Sequence, residues 1–109
     1  MGDEFQERVA SNEALFREVN EAIARGQWPG EEDHSTAFRC ECASLDCNRL
    51  VALTPREYER VRETPRRFVV LPGHELREME TIVETLRGYL VVEKRGEAGR
   101  LADASDPRA

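Results

Sequence analysis

Apolar side chains recur at helical spacing in the first quarter of the chain, and Gly26 then supplies a helix stop signal. Steps of three, four and seven positions place these side chains in one stripe, which is typical of an amphipathic helix. The pattern predicts a helix over residues 3–25, within an N-terminal segment that spans residues 1–26. The stripe consists of Phe5, Val9, Phe16, Val19 and Ile23, with Leu15 and Ala22 beside it.

What this helix packs against stays open from the sequence. It either lies on the core of its own domain or pairs with another protein chain, for example in a homodimer. Asn12 falls inside the apolar stripe, and a polar residue at such a position would set the register of a helix pair. Residues 27–37 contain Trp28, Pro29 and Gly30 followed by an acidic run, which predicts a linker.

Short apolar runs replace the helical pattern in the middle of the chain. Each run is bounded by Gly, Pro or polar turn residues, as is typical of short antiparallel strands. The predicted strands are residues 38–40, 50–53 and 68–71. A hairpin is predicted after a turn near residues 76–80; its chain reversal is at Arg87 and Gly88, and its second strand covers residues 89–92.

A short helix is predicted between two of these strands. Thr54 is suited to cap it, Pro55 fits its first position, and Glu57 completes a capping box. The predicted fold class is therefore α+β. An N-terminal amphipathic helix precedes a small domain over residues 38–94, built from short antiparallel strands and one short helix.

Few apolar residues are available to build a core. Seventeen of the 24 Leu, Ile, Val and Phe residues fall between positions 38 and 92. A domain of this size commonly needs a metal or a disulfide as a staple. Residues 95–109 hold almost no large apolar side chain, and their composition predicts a disordered tail.

Three cysteines lie within eight residues, where such a staple would be needed. Cys40, Cys42 and Cys47 form a C-x-C-x4-C array. An odd cysteine count argues against a disulfide framework, and thiolates on a tight turn converge on a tetrahedral ion. We therefore expect a zinc site. The alternatives are a redox-active thiol pair, an iron–sulfur cluster, or ordinary buried residues whose spacing is coincidental.

A closed zinc site needs a fourth ligand. His74 follows the apolar run on a Pro-Gly turn that frees its ring to point back toward the cysteines, so it is the preferred ligand. His34 lies in the polar linker and is the second choice, and Asp46, Glu41 or water are the remaining ones. The expected metal ligands are Cys40, Cys42, Cys47 and His74.

The sequence offers little chemistry beyond the metal itself. His74-Glu75 could supply a ligand and a base, but it lacks the second histidine of the H-E-x-x-H pattern, and the zinc deaminase pattern is absent. Four protein ligands would leave no open position for a catalytic water. We expect a structural zinc in a protein-interaction or regulatory module, without enzymatic activity. A zinc hydrolase and a thiol redox sensor are less favoured.

Charge and hydropathy bear on partners and location. The 109 residues carry a net charge of −6, and residues 1–36 alone contribute −6. No apolar run approaches the roughly 20 residues of a membrane span, and the acidic start is unlike a signal peptide, so we expect a soluble cytoplasmic protein. Arginines from Arg56 to Arg67 make a nucleic-acid-binding helix the alternative function. Interleaved glutamates and the net charge oppose it.

Several short segments are distinctive as strings. They are Phe38-Arg39-Cys40-Glu41-Cys42, Leu53-Thr54-Pro55, Arg67-Phe68-Val69-Val70, Pro72-Gly73-His74-Glu75 and Gly88-Tyr89-Leu90-Val91-Val92. Together they resemble a group of short uncharacterised proteins from actinobacterial genomes, over residues 38–94 and part of the N-terminal helix. The resemblance implies that the three cysteines and His74 belong to one motif. It implies no activity.

Overall fold

The chain forms an α+β fold, as predicted, with helices around two small antiparallel sheets. The computed structural model describes residues 2–108, with the side chains from residue 4 onward; Met1 and Ala109, at the ends of the predicted segments, lie outside it. The elements are α1 (Gly2–Arg25), β1 (Thr36–Arg39), β2 (Leu50–Leu53), α2 (Pro55–Arg62), β3 (Arg67–Val70), β4 (Glu80–Leu86), β5 (Tyr89–Lys94) and α3 (Gly96–Ala104).

The strands form one two-stranded and one three-stranded sheet. β1 pairs with β2, and β5 lies between β3 and β4 in the second sheet. The predicted hairpin of β4 and β5 is confirmed, and Gly88 occupies its turn with a φ of +89°, a conformation that glycine adopts without a steric penalty. A bulge interrupts the register between Ile82 and Glu84.

Helix α2 has the local structure that its sequence dictates. The Thr54 hydroxyl accepts a hydrogen bond from the Glu57 amide at 3.0 Å, and the Glu57 carboxylate accepts one from the Thr54 amide at 2.7 Å. The predicted capping box is therefore present, with Pro55 at the start of the helix. The helix turns Tyr58 inward, where its ring stacks on Phe38 with the ring centroids 4.6 Å apart.

The core lies where the two sheets and α2 meet. Its members are short apolar side chains and aromatic rings that are almost fully removed from solvent, so each contributes about 1.5–3 kcal/mol of burial free energy. The most deeply buried are Phe38, Cys40, Val51, Tyr58, Val69, Val70 and Val92. Within residues 2–108, no helix has both the length and the apolar character that crossing a membrane requires.

Helix α1 packs on its own domain, but with a different face from the one predicted. Val9 and Phe16 are buried as expected, whereas Phe5 is 45% exposed and Val19 is 38% exposed. The buried stripe instead includes the polar residues Glu13, Arg17, Asn20 and Glu21. A hydrophobicity pattern treats such residues as surface, so it misplaced the buried face.

These polar side chains have buried partners. The Arg17 guanidinium donates a hydrogen bond to the Arg67 carbonyl oxygen at 2.6 Å and lies 3.7 Å from the centre of the Phe68 ring. Lys94, the only lysine of the chain, is buried between the carboxyl groups of Glu13 and Glu80. Its Nζ atom lies 2.7 Å from Glu13 Oε2 and also donates to Glu80.

The structure differs from the predicted disordered tail. Helix α3 occupies Gly96–Ala104 and packs against α1 and β5 with its small residues Ala98, Gly99 and Ala102 buried. Because these side chains are small, the helix buries little apolar area. The low content of large apolar residues in this segment therefore predicted disorder rather than a packed helix. The neighbouring Arg66 shows how closely it packs: a Cβ added to Gly99 would lie 2.6 Å from an Arg66 nitrogen.

Ion pairs complete the attachment of the C-terminal segment. Arg66 binds Asp103 at 2.9 Å, and the buried Arg62 pairs with both Glu21 and Asp106. The Arg108 guanidinium lies between Glu21 and Glu59. These partners are far apart in the sequence, so no local pattern reveals them.

The buried carboxylate of Glu13 makes stability depend on pH. Burial raises its pKa from 4.5 to about 8, and the nearby Lys94 opposes that rise only in part, while Glu80 and Glu41 add to it. Between these two pH values the folded chain therefore binds more protons than the unfolded chain, and the free energy of unfolding falls as pH rises. We expect wild type to lose roughly 3 kcal/mol relative to Glu13→Gln between about pH 5 and pH 8.

Urea titrations at both pH values measure this difference, and comparing the two proteins cancels the contribution of titrating groups that do not interact with Glu13. Glu4→Gln, a change of an exposed glutamate on the same helix, is the matched control. Parallel pH profiles for wild type and Glu13→Gln would contradict the expectation.

Candidate metal centre

Four side chains converge at one end of the core. One ligand atom from each of Cys40, Cys42, Cys47 and His74 lies within 4.8 Å of every other. The three cysteines are buried and the histidine is half-buried, and none of the cysteines forms a disulfide. The structure therefore brings together the residues that the sequence selected, in a group that could hold a metal ion.

Turns at the ends of strands position the four side chains. Cys40 follows β1 directly, and its amide donates a hydrogen bond to the Arg49 carbonyl oxygen at 3.1 Å, which closes the loop that carries Cys42 and Cys47. His74 lies in the turn after β3. Gly73 makes this turn possible, since its φ of +90° lies in a region that L side chains rarely adopt.

The spacing of the donor atoms fits a tetrahedral ion. Bond lengths of about 2.3 Å to sulfur and about 2.0–2.1 Å to nitrogen place sulfur and nitrogen roughly 3.5–3.6 Å apart around tetrahedral zinc. His74 Nδ1 lies 3.6 Å from Cys40 Sγ and 3.7 Å from Cys47 Sγ. The imidazole thus faces the sulfur atoms with Nδ1, and its Nε2 atom is left for another partner.

Hydrogen bonds and burial act in opposite directions on two of the sulfur atoms, favouring the thiolate of Cys42 and disfavouring that of Cys40. The Leu71 amide donates to Cys40 Sγ at 3.3 Å. The contact with Cys40, together with hydrogen bonds from His74 and the Ser44 backbone, lowers the pKa of Cys42. The same contact and burial raise the pKa of Cys40. Burial of several thiolates without a cation is unfavourable, so this arrangement suits a cation among the sulfur atoms.

The other ligand candidates lie elsewhere in the structure. His34 is exposed, and its Nδ1 atom lies 3.7 Å from the Glu31 carboxylate rather than in the cysteine group. Asp46 is exposed on the cysteine loop and does not join the group either. Glu41 is buried, but its carboxylate binds other partners.

Glu41 is the important residue that the sequence analysis missed as a structural element. Its Oε2 atom accepts hydrogen bonds from Tyr58 at 2.7 Å and from Asn20 at 2.9 Å, and its Oε1 atom accepts one from the Val69 amide at 3.0 Å. The residue lies between Cys40 and Cys42, so these bonds fix the backbone that presents both thiols. The only sequence feature that pointed to a structural role for Glu41 was its position between Cys40 and Cys42.

Helix α1 holds the cysteine loop at two points. Asn20 accepts a hydrogen bond from the Arg39 amide at 2.7 Å and donates one to the Arg39 carbonyl oxygen at 2.8 Å. Asn12 donates to the Ala43 carbonyl oxygen at 2.7 Å. Asn12 thus binds the loop of its own chain, which differs from the role in helix pairing that its place in the stripe suggested.

Comparison of the chain with protein-family models, with curated proteins and with solved structures found no match. The resemblance to actinobacterial proteins therefore stays a prediction, and the function is inferred from the geometry of the site.

The buried carboxylate of Glu41 predicts an unequal response of two tyrosines. Tyr58→Phe removes a short hydrogen bond to a buried charged group, and we expect it to lower the free energy of unfolding by about 2 kcal/mol. Tyr89 is the control, because its hydroxyl lies 3.4 Å from a Glu57 oxygen, and such a long contact contributes less than about 0.5 kcal/mol. Urea denaturation of Tyr58→Phe and of the control variant Tyr89→Phe measures the two losses of unfolding free energy. Equal losses in the two variants would contradict the prediction.

Proposed function

We propose that this protein is a small zinc-binding protein whose zinc is structural. The observation that carries the proposal is the mutual approach, within 4.8 Å, of ligand atoms from Cys40, Cys42, Cys47 and His74. Sulfur and imidazole are ligands that zinc prefers, and Cys3His is a common structural set. An iron–sulfur cluster typically uses four cysteines and is less well matched by this set.

The donor set supports a structural rather than a catalytic role. Four protein ligands complete a tetrahedral shell, whereas a catalytic zinc keeps one position for water. Three carboxylates adjoin these ligands in sequence; Asp46 is exposed and stays out of the group, and the other two are occupied. Glu41 is buried in its own hydrogen bonds, and Glu75 accepts a hydrogen bond from the Gly73 amide at 2.7 Å, which stabilises the turn that carries His74. We therefore propose that the protein is not an enzyme.

The biological role that we propose is that of a protein-interaction or regulatory module in the cytoplasm, where thiols stay reduced. The outward side of α1 supports an interaction with a protein partner or a second copy. Leu15 is 51% exposed there, with Val19 beside it, and it lines a groove of about 630 Å³ between α1 and α3 that also includes Leu101. Apolar surface of this kind is typical of protein contacts.

Nucleic-acid binding is the alternative, and the ion pairs of the arginines weaken it. Four of the five arginines from Arg56 to Arg67 already have carboxylate partners, so their charge is largely neutralised within the protein. Arg60 is the exception among the described residues. The ion pairs join Arg56 to Asp33, Arg62 to Glu21 and Asp106, Arg66 to Asp103, and Arg67 to Glu93.

Metal content tests the zinc proposal directly. Protein purified without added metal or chelator is analysed by inductively coupled plasma mass spectrometry, as wild type and as His74→Ala. We expect about one zinc per chain in wild type and a large loss in the variant, together with a lower melting temperature, because metal binding and folding are coupled. His34→Ala is the matched control and should keep its zinc.

Three outcomes would contradict this proposal. Wild type without zinc would leave three free thiols and direct attention to redox chemistry. Full zinc content in His74→Ala would remove the histidine from the ligand set. Equal loss of zinc in His34→Ala would show that the effect is not specific to the site.

Self-association through α1 is tested by sedimentation velocity over a range of concentrations. If the outward side of α1 joins two copies, Leu15→Glu should weaken their association by about tenfold or more, because it introduces a charge into an apolar contact. Leu50→Glu, a change of another exposed leucine on β2, is the control. A wild-type protein that stays monomeric at all concentrations would contradict the homodimer.

A further inference from the structure

A cavity of about 390 Å³ opens beside the metal centre, and neither the zinc proposal nor the core accounts for it. It lies between the N-terminal half of α1 and the loops that carry Cys42 and His74. Ligand pockets in proteins usually measure roughly 300–1,000 Å³, so this cavity is large enough for a small organic molecule.

The walls of the cavity are mostly apolar. Phe5 and Val9 of α1 face Ala43 of the cysteine loop and Leu76 of the loop before β4 across it. Phe5 is 45% exposed although it is a large aromatic residue. A bound apolar group would cover this ring and gain free energy from the buried area.

Two polar groups on the cavity are available to a ligand. Arg8 lines the cavity, and no acidic side chain described in the structure forms an ion pair with it, whereas seven of the fifteen arginines have such a partner. His74 also lines the cavity. Its Nδ1 atom faces the cysteines, so Nε2 is the donor nitrogen when a metal is bound, and no acceptor for it is found among the described side chains, which begin at residue 4.

Both groups favour an anionic acceptor. A metal-binding histidine almost always donates its second N–H to a carboxylate, a carbonyl or a water molecule. The guanidinium of Arg8 matches a carboxylate through two parallel hydrogen bonds. Glu4 and Glu7 lie close to Arg8 on the same helix, and their charge opposes a polyanion such as a phosphate ester while still permitting a single negative charge.

We propose that this cavity binds a small amphipathic monocarboxylate, with an apolar tail between Phe5, Val9 and Leu76 and its carboxylate at Arg8 and His74. This goes beyond the proposed function, since it gives the protein a small-molecule ligand next to its metal centre. It uses His74 as a donor through Nε2, and it requires no step at the metal.

Sodium octanoate is the probe, and two-dimensional NMR of the full-length protein as purified is the measurement. We expect saturable shifts of the amide signals of Ala43, Ser44 and Leu76. Arg8→Gln should weaken binding by about tenfold, the usual effect of losing a hydrogen bond between charged groups, and Arg8→Lys should restore part of the loss. Arg25→Gln, at the other end of α1, is the control and should bind as wild type does.

Four results would overturn the proposal. They are the absence of saturable shifts, shifts centred on the groove between α1 and α3, equal binding of the neutral octan-1-ol, and an unchanged affinity in Arg8→Gln. The zinc content of every variant is measured alongside. Because octanoate is titrated into the protein as purified, binding without zinc would refute the metal proposal alone, and zinc without binding would refute the cavity proposal alone.

Discussion

The buried carboxylate of Glu41 is the constraint on which the rest of the structure depends. A carboxylate removed from water is strongly unfavourable unless hydrogen-bond donors replace the lost hydration. Its donors come from three separate elements, namely Asn20 of α1, Tyr58 of α2 and the Val69 amide of β3. Those elements must be in place together for the carboxylate to be accommodated. Since Glu41 lies between Cys40 and Cys42, the same requirement orders the thiols.

Buried polar contacts also explain how so small a core is held together. Leu, Ile, Val and Phe are only 24 of the 109 residues, and α1 and α3 add few of them to the core. The helices are attached instead through Arg17, Lys94 and Arg62, each of which is buried with hydrogen-bond or ion-pair partners. Removing one member of such a pair leaves an unpaired buried charge, which costs more than the intact pair contributes. The fold therefore depends on correct pairing as much as on apolar area.

The sequence predicted those features that arise from neighbouring residues. The capping box of α2 needs only Thr54 and Glu57, the hairpin turn needs Gly88, and the cysteines are grouped by their own spacing, so each was accessible to pattern analysis. Pairing between residues that are far apart in the sequence was not accessible to such analysis. Arg62 and Asp106 lie 44 positions apart, and nothing near either residue indicates the other. The buried face of α1 and the order of residues 96–104 both depend on such pairs, which is why the stripe was misplaced and the tail was predicted to be disordered.

The metal centre and α1 should stabilise one another. Asn20 and Asn12 bind the backbone on both sides of the Cys40–Cys42 pair, at Arg39 and at Ala43, so a folded α1 restricts the loop before any ion arrives. A ligand that binds the ordered form more tightly shifts the equilibrium toward that form, and the coupling is reciprocal. An ion held by the cysteines and His74 would therefore also hold the first half of α1 on the domain. Because Phe5 and Arg8 belong to that part of the helix, the same ion would keep the adjacent cavity formed.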